Sequence, residues 1–287
     1  MFEHLRPTLE GKPFLTNKEE IIAHLQTLLR KAIVRKEKVG IAFSGGLDSS
    51  VLALLADNCQ LYTVGLESSS DVEWSIRIAK ELNKPIKTKI VTLTEAEHII
   101  KEVVHILKSA DVTHVGIGCV VYAVLEMAKP DGIKVVLGGL GAEEIFGGYK
   151  RHIEYGKDLE NIHDRLWEGL YGMEQRDLAR DIPIAKHFGI TLVAPFLNEE
   201  LVTYAMRIDP KLKINNERRK IILQDTAFAL GLPKDVAYRP KMAAQYSSKF
   251  DRAMEKLAKK HGLALKKEYL QSILKGEDKL INKKGSS

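Results

Sequence analysis

The sequence predicts an α/β fold, in which a doubly wound parallel sheet carries a helical C-terminal extension. Three observations predict it. Short apolar runs alternate with segments of helical periodicity over residues 36–150, as in parallel strands joined by helices. Glycine-rich turns follow the first and fourth runs. Beyond residue 150 the sequence is mainly helical, so we expect the second half to pack onto the sheet as an extension of it.

The first half of the chain reads as a leading helix followed by strand–helix units. A T-x-x-E capping box at Thr16–Glu19 begins an amphipathic helix that ends near residues 35–38. Apolar runs such as VGIAF are typical of strands buried on both faces. Strands are predicted at 39–43, 60–67, 86–93 and 133–139. Helical spacing predicts helices at 49–56, 73–82, 96–108 and 120–128.

The second half contains one extended segment among helices. Residues 151–190 are predicted helical, with turns at YGM (171–173) and DIP (181–183). GITLVAPFL (189–197) is extended, and 199–207, 217–231 and 249–260 are helical. We therefore expect four units, which are an N-terminal helical arm (1–35), an α/β core (36–150), a helical substrate-side extension (151–260) and a basic tail (261–287).

Composition favours a cytoplasmic globular protein. Of 287 residues, 45% are hydrophobic and 29% are charged. The only two cysteines, Cys59 and Cys119, form no CxxC pair, which argues against a disulfide scaffold or a zinc site. No apolar run approaches the roughly 18 residues of a membrane span, and the N-terminus lacks a signal-peptide pattern. We expect no membrane partner.

The positive charge is concentrated at the C-terminal end. From Lys249 onward 11 basic residues accompany 5 acidic ones, which accounts for the whole formal charge of +6. A basic tail can contact nucleic acid. An amphipathic helix with a solvated charged face is the simpler interpretation, because the tail contains few aromatic residues for stacking on bases.

The turn after the first strand has the chemistry of a phosphate site. In IAFSGGLDSSVLALL (41–55), paired glycines let the backbone approach an anion, and the following helix presents free N–H groups. No lysine follows the glycines, so it is not a Walker A loop. Asp48 would repel a phosphate unless a cation lay between them, and Mg²⁺ is the simplest such cation.

SGGLDSS (44–50) resembles the pyrophosphate-binding loop of the PP-loop ATP pyrophosphatases, which cleave ATP to AMP and pyrophosphate. The resemblance implies ATP and Mg²⁺ as cofactors. It also implies that two strand residues, Ala42 and Val64, lie near adenine. The residues implied to hold the β,γ-phosphates and their magnesium are Ser44, Gly45, Gly46, Asp48 and Ser49.

A second glycine-rich turn indicates which family within this superfamily the sequence resembles. VVLGGLGAEEIFGGYKRH (135–152) places Gly138 and Gly139 directly after the fourth strand, with Glu143 and Glu144 following. The segment resembles the synthetase domain of asparagine synthetases and their β-lactam-forming relatives. Further similarities follow in the family's order at APFLN (194–198), ERRKIILQ (217–224) and LPKDVAYRPKMA (232–243). Glu143 would take the place of a metal-binding aspartate.

The resemblance implies ATP-dependent amide formation. A substrate carboxylate would be activated as an acyl-adenylate, and ammonia or another amine would then displace AMP. Lys220 matches the lysine near the α-phosphate and Lys241 matches a later family lysine, so with Glu144 they are the candidate catalytic residues. The family's SGEG glutamate is Leu140 here, its KxxLR arginine is Gln224, and its PFLD aspartate is Asn198.

The amine source and partners stay open at this stage. The short stretch before the first strand is not expected to hold a glutaminase domain, so ammonia would be free or supplied by a separate glutaminase partner. Small-molecule carboxylate and amine substrates are expected, and a homo-oligomer is left open. Two alternatives remain, which are a PP-loop tRNA-modifying enzyme and an ATP-binding regulatory subunit altered at Leu140.

Overall fold

The computed structural model describes residues 1–67, 69–149, 159–239 and 249–276. Five parallel strands form one sheet in the order β3-β2-β1-β4-β5. They are β1 Val39–Ala42, β2 Cys59–Leu66, β3 Ile86–Val91, β4 Val135–Leu137 and β5 Thr191–Val193. The fold class predicted from the sequence is confirmed.

The chain builds the sheet outward from β1 in both directions. It adds β2 and β3 on one side and returns to place β4 and β5 on the other. β1 pairs with β4 through Gly40↔Val136 and Ile41↔Leu137. Ligand crevices in open α/β sheets lie where the strand order reverses, beyond the carboxyl ends of the strands. The turns after β1 and β4 therefore meet at that point.

Helices cover both faces of the sheet. In the first half they are α1 Leu5–Leu9, α2 Lys18–Ile33, α3 Leu47–Leu55, α4 Ser70–Glu81, α5 Leu93–Leu107, α6 Val112–Ala128 and α7 Ala142–Phe146. In the second half they are α8 Leu159–Met173, α9 Ala179–Phe188, α10 Glu199–Met206, α11 Pro210–Lys213, α12 Ile221–Ala229, α13 Lys234–Ala237, α14 Phe250–Lys260 and α15 Lys266–Leu274.

Each face of the sheet has its own hydrophobic cluster, because alternate strand residues point to opposite sides. Leu61 of β2 belongs to the cluster that includes α2, α3 and α8. Its neighbours Tyr62 and Val64 belong to the cluster that includes α5, α6, α14 and α15. The described part of the basic C-terminal end thus contributes apolar side chains to a core, with Phe250 and Tyr269 both fully buried.

Three local predictions were wrong in detail. Helix α2 is capped one residue later than expected, since Asn17 rather than Thr16 accepts a hydrogen bond from the Glu20 amide at 3.3 Å. The turns expected at 171–173 and 181–183 are helical, because α8 runs into a π-helix at Glu174–Leu178 and then into α9, which contains Pro183. Burial of the apolar α9 side chains in a core outweighs the local turn signals.

Within the described residues, no single helix is long and apolar enough to span a membrane. Helices α5 and α6 meet that test only as a pair, and the pair is bent by 112°.

Candidate active site

The two glycine-rich turns lie in direct contact at the carboxyl edge of β1 and β4. A Cβ atom added to Gly139 in the second turn would lie 3.0 Å from the Cβ of Asp48 in the first. That distance is tighter than ordinary van der Waals contact, so the close approach favours glycine. Asp48 and the carboxylates after β4 consequently face one another.

The first turn presents backbone donors rather than a basic side chain. Gly45 adopts φ +64, a left-handed conformation that favours glycine. Helix α3 begins at the N-cap Gly46, which has no side chain to satisfy the first amides. The hydroxyls of Ser44 and Ser49 lie 3.3 Å apart across the loop. The predicted phosphate-loop residues therefore surround the positive end of the α3 dipole.

Trp74 supports this loop from outside, and sequence reasoning missed it. Its indole N–H donates to the Gly45 carbonyl at 2.8 Å. The guanidinium carbons of Arg77 and Arg239 lie 4.3 and 4.0 Å from its ring centroid. A Cβ at Gly45 would lie 2.6 Å from the Trp74 ring. The only sequence signal was an aromatic residue three positions before a basic one in α4.

Lys220 joins the two turns. Its Nζ donates to both Asp48 carboxylate oxygens and to Glu143 Oε2, each at 2.7 Å. Lys220 is 5% exposed and has φ +55 at the N-cap of α12. Burial lowers the pKa of the Lys220 ammonium, and the adjacent Asp48 carboxylate opposes that shift. The predicted metal pair and the predicted catalytic lysine form one cluster.

The residues of this cluster fit a magnesium ion. Carboxylate oxygens from two facing turns converge on one cation position, which the ammonium takes here. Among the described residues, no group of three or more His, Cys, Asp and Glu is placed to hold a metal ion. Mg²⁺ at nucleotide sites is commonly held by one or two carboxylates together with substrate phosphates, which matches Asp48 and Glu143.

Glu144 belongs to a second polar network beside the first. Its Oε1 accepts from the Tyr149 hydroxyl at 2.5 Å and from Arg176 at 3.1 Å. Burial raises the pKa of Glu144 most strongly, with the Tyr149 hydrogen bond opposing. Burial also raises the pKa of Tyr149. Arg176 extends the network to Asp177 at 2.8 Å.

The π-helix at Glu174–Leu178 sets the spacing of this network. It places Arg176 and Asp177 beside Glu144, while Arg180 on the next turn pairs with Asp177 at 3.2 Å and Asp181 at 2.6 Å. Single-turn π segments are common at functional sites. No motif in the sequence indicated Arg176 or Arg180.

The remaining predicted residues lie at the strand ends or outside the described ranges. Ala42 ends β1, and Val64, which is 6% exposed, lies two residues before the end of β2. Gly138 is buried directly after β4. Lys241 lies outside the described residues.

Three positions that differ from the family pattern have visible structural contacts. Leu140 packs partly buried against the first cluster. Asn198 caps α10 by accepting from the Leu201 amide at 3.2 Å. Gln224 accepts from Arg218 at 2.8 Å.

A family model and individual relatives indicate the same protein family. A family model described as asparagine synthase matches residues 20–181 and 156–277. The putative asparagine synthetase [glutamine-hydrolyzing] 1 of Methanocaldococcus jannaschii is 34% identical over 298 residues, covering 89% of this chain and 55% of that protein. Asparagine synthetase B [glutamine-hydrolyzing] of Escherichia coli is 27% identical over 250 residues, covering 80% and 45%. The chain thus spans about half the length of these relatives.

Proposed function

Because the chain belongs to the asparagine synthase family, we propose that it is an ATP-dependent carbon–nitrogen ligase. It activates a substrate carboxylate as an acyl-adenylate, which ammonia or another amine then converts to an amide. The observation that supports this most directly is the cluster of Asp48, Glu143 and Lys220, which joins the two glycine-rich turns within hydrogen-bonding distance.

The ATP half of the site needs charge neutralisation rather than a protein nucleophile. The amides that begin α3, with the hydroxyls of Ser44 and Ser49, bind the β,γ-phosphates. Asp48 and Glu143 would hold Mg²⁺, which supplies positive charge to the pyrophosphate as it leaves. Lys220 moves from the carboxylates to the phosphates, since its long side chain carries a point charge that can follow the ligand.

The reaction balances without an additional reagent. A carboxylate oxygen attacks the α-phosphorus of ATP, and the bond to the bridging oxygen of pyrophosphate breaks. The nitrogen of the amine then attacks the acyl carbon, the bond to AMP breaks, and the nitrogen loses a proton. Glu144 with Tyr149 is the group we assign to accept that proton, because burial raises the pKa of Glu144 toward the range useful for proton transfer.

The acceptor is proposed to be a small amino acid, with aspartate the first to test. Arg176 offers a guanidinium for a carboxylate, and its side chain remains 37% exposed. Asp177 beside it offers a carboxylate for an ammonium group. Leu140 stands in the place of the family glutamate and has no carboxylate to accept a proton. We therefore assign that role to Glu144.

ATP–pyrophosphate exchange with Mg²⁺ tests this proposal. We expect exchange that depends on one acid of a panel headed by aspartate. Ammonium chloride and glutamine should then be compared as nitrogen sources for amide formation. Asp48→Ala should abolish exchange, and Lys256→Ala, at an exposed position, should not. Tight ATP binding without exchange on any acid would contradict the ligase and favour a regulatory role.

A further inference from the structure

A second pocket lies away from the ATP cluster, beneath the N-terminal segment. It has a volume of about 220 Å³ and opens between residues 6–14, helix α8 and the end of α10. None of its lining residues belongs to the candidate active site. Its walls combine apolar side chains with charged ones, the most important being Phe14, His163, Trp167, Arg6, Lys12 and Arg207.

Three buried nitrogen atoms in or near this pocket have no hydrogen-bond partner among the residues that the structure describes, two of them on lining residues. They are Nδ1 of His163, Nε of Arg207 and Nζ of Lys213. Native proteins leave few buried donors unsatisfied, and a bound water or ion commonly satisfies such groups. His163 and Arg207 both line the pocket, so two unsatisfied donors of one pocket indicate a missing acceptor.

The tautomer of His163 makes its free nitrogen a donor. Its Nε2 accepts a hydrogen bond from the Trp167 indole N–H at 3.1 Å, so the proton of the neutral ring lies on Nδ1. Burial, reinforced by the charge of Lys213, lowers the pKa of His163 to about 4. The ring therefore stays neutral at physiological pH and still offers one N–H.

The charge of the pocket is positive. Arg6, Lys12 and Arg207 line it against a single acid, Glu10, and Arg6 is also paired with Asp164 outside. Lys213, which is 0% exposed, lies close enough to influence His163 electrostatically. An anion would receive hydrogen bonds from donors that otherwise have none, and its charge would be compensated.

We propose that this pocket binds a small organic anion whose carboxylate or phosphate group faces Arg207 and Lys12. The apolar part of the ligand lies against Phe14 and Trp167. The volume is below the roughly 300–1,000 Å³ of sites for drug-sized ligands, so the ligand is small. A ligand here contacts α8, whose C-terminal end continues into the π-helix that carries Arg176.

The two tryptophans provide a direct test in the full chain. Trp167 donates to His163 in the pocket, whereas Trp74 donates to Gly45 in the ATP site, so each indole N–H signal in a ¹H–¹⁵N spectrum reports on one site. The probes are sodium benzoate and inorganic phosphate, with sodium chloride at matched ionic strength as a control. Trp167→Phe assigns the two signals.

We expect at least one probe to shift the Trp167 signal saturably. Benzoate should leave the Trp74 signal in place, whereas phosphate can also bind the loop beside Trp74, so its Trp167 shift should follow a separate Kd. Hydrogen bonding at Nδ1 makes Nε2 a stronger acceptor, which moves the indole resonance. Arg207→Gln should weaken the apparent Kd by about tenfold or more, the size of a lost charge-assisted hydrogen bond. Lys211→Gln, on the exposed side of α11, should leave it unchanged.

Lys12→Gln serves as a second variant, because Lys12 is exposed and its loss should not impair folding. A shift with benzoate alone would identify a carboxylate site with an apolar wall, and one with phosphate a phosphate site. The proposal is overturned if neither probe gives a saturable Trp167 shift, if sodium chloride reproduces it, or if both Arg207→Gln and Lys12→Gln leave the Kd unchanged. None of these readouts depends on ligase activity.

Discussion

Replacing Lys220 with methionine removes the cation between Asp48 and Glu143 while keeping an unbranched side chain in its place. Both carboxylates are largely buried, with side chains 14% and 9% exposed. The variant would therefore leave two like charges close together and shielded from water. Their mutual repulsion, added to their poor solvation, destabilises the folded protein.

The expected loss is large. Removing one partner of a buried ion pair destabilises proteins by about 3–5 kcal/mol. For a chain of 287 residues, with an unfolding entropy of about 2.1 cal/mol/K per residue, that corresponds to a thermal midpoint lower by roughly 5–8 °C. The double variant Lys220→Met/Asp48→Asn should recover part of the loss, because one of the two like charges is then absent.

Magnesium distinguishes this explanation from a simple packing defect. In Lys220→Met the ion no longer competes with the ammonium, so Mg²⁺ should raise the thermal midpoint of the variant more than that of the unmodified protein. Differential scanning fluorimetry with and without Mg²⁺ measures both, with the exposed Lys256→Met as the matched control. A Lys220→Met midpoint equal to the control, or the same Mg²⁺ effect in every variant, would refute the reasoning.

Three further changes test neighbouring parts of the site. Trp74→Phe removes the hydrogen bond to Gly45 and keeps an aromatic ring beneath Arg77 and Arg239, so calorimetry should find the Kd for Mg·ATP about 2- to 10-fold weaker. Burial raises the pKa of Glu144 above its ordinary value of 4.5, so the folded state binds more protons than the unfolded chain as pH rises past that value, and stability falls there. Glu144→Gln removes this effect, so urea unfolding should show its stability relative to the unmodified protein improving from about pH 4.5 upward. Gly148→Ala would place a Cβ 2.3 Å from Lys220 Cε. The free energy of unfolding of this variant, measured by urea unfolding, should be lower by about 1–3 kcal/mol.

Each of these has its own contrary outcome. An unchanged Kd in Trp74→Phe would mean that the loop keeps its shape without the indole. A stability difference for Glu144→Gln that is constant across pH would show that this carboxylate does not carry the raised pKa. Gly169→Ala, whose Cβ would meet nothing closer than 3.5 Å, is the control for Gly148→Ala, and equal stabilities would remove the steric argument.

Much of the fold was predictable because the relevant information is local. β1, β2 and β4 are mainly apolar and β3 mixes apolar with polar residues, and all four are flanked by helical periodicity, a pattern that is present within a few residues. The fifth, β5, was foreseen only as an extended piece. The π-helix that carries Arg176 and Asp177 could not be predicted, since the turns expected around it are local signals that packing overrides.

By itself the sequence determined the α/β class and the two glycine-rich turns, because glycine pairs after buried runs specify tight turns wherever the strands lie. It also supplied Asp48, Glu143 and Lys220 as separate candidates. Only the tertiary structure decided that they touch. Lys220 lies 172 residues from Asp48 along the chain, and the two meet because β4 pairs with β1 and α12 packs over their ends. Strand order and helix docking arise from burial of the whole core, which no local pattern encodes.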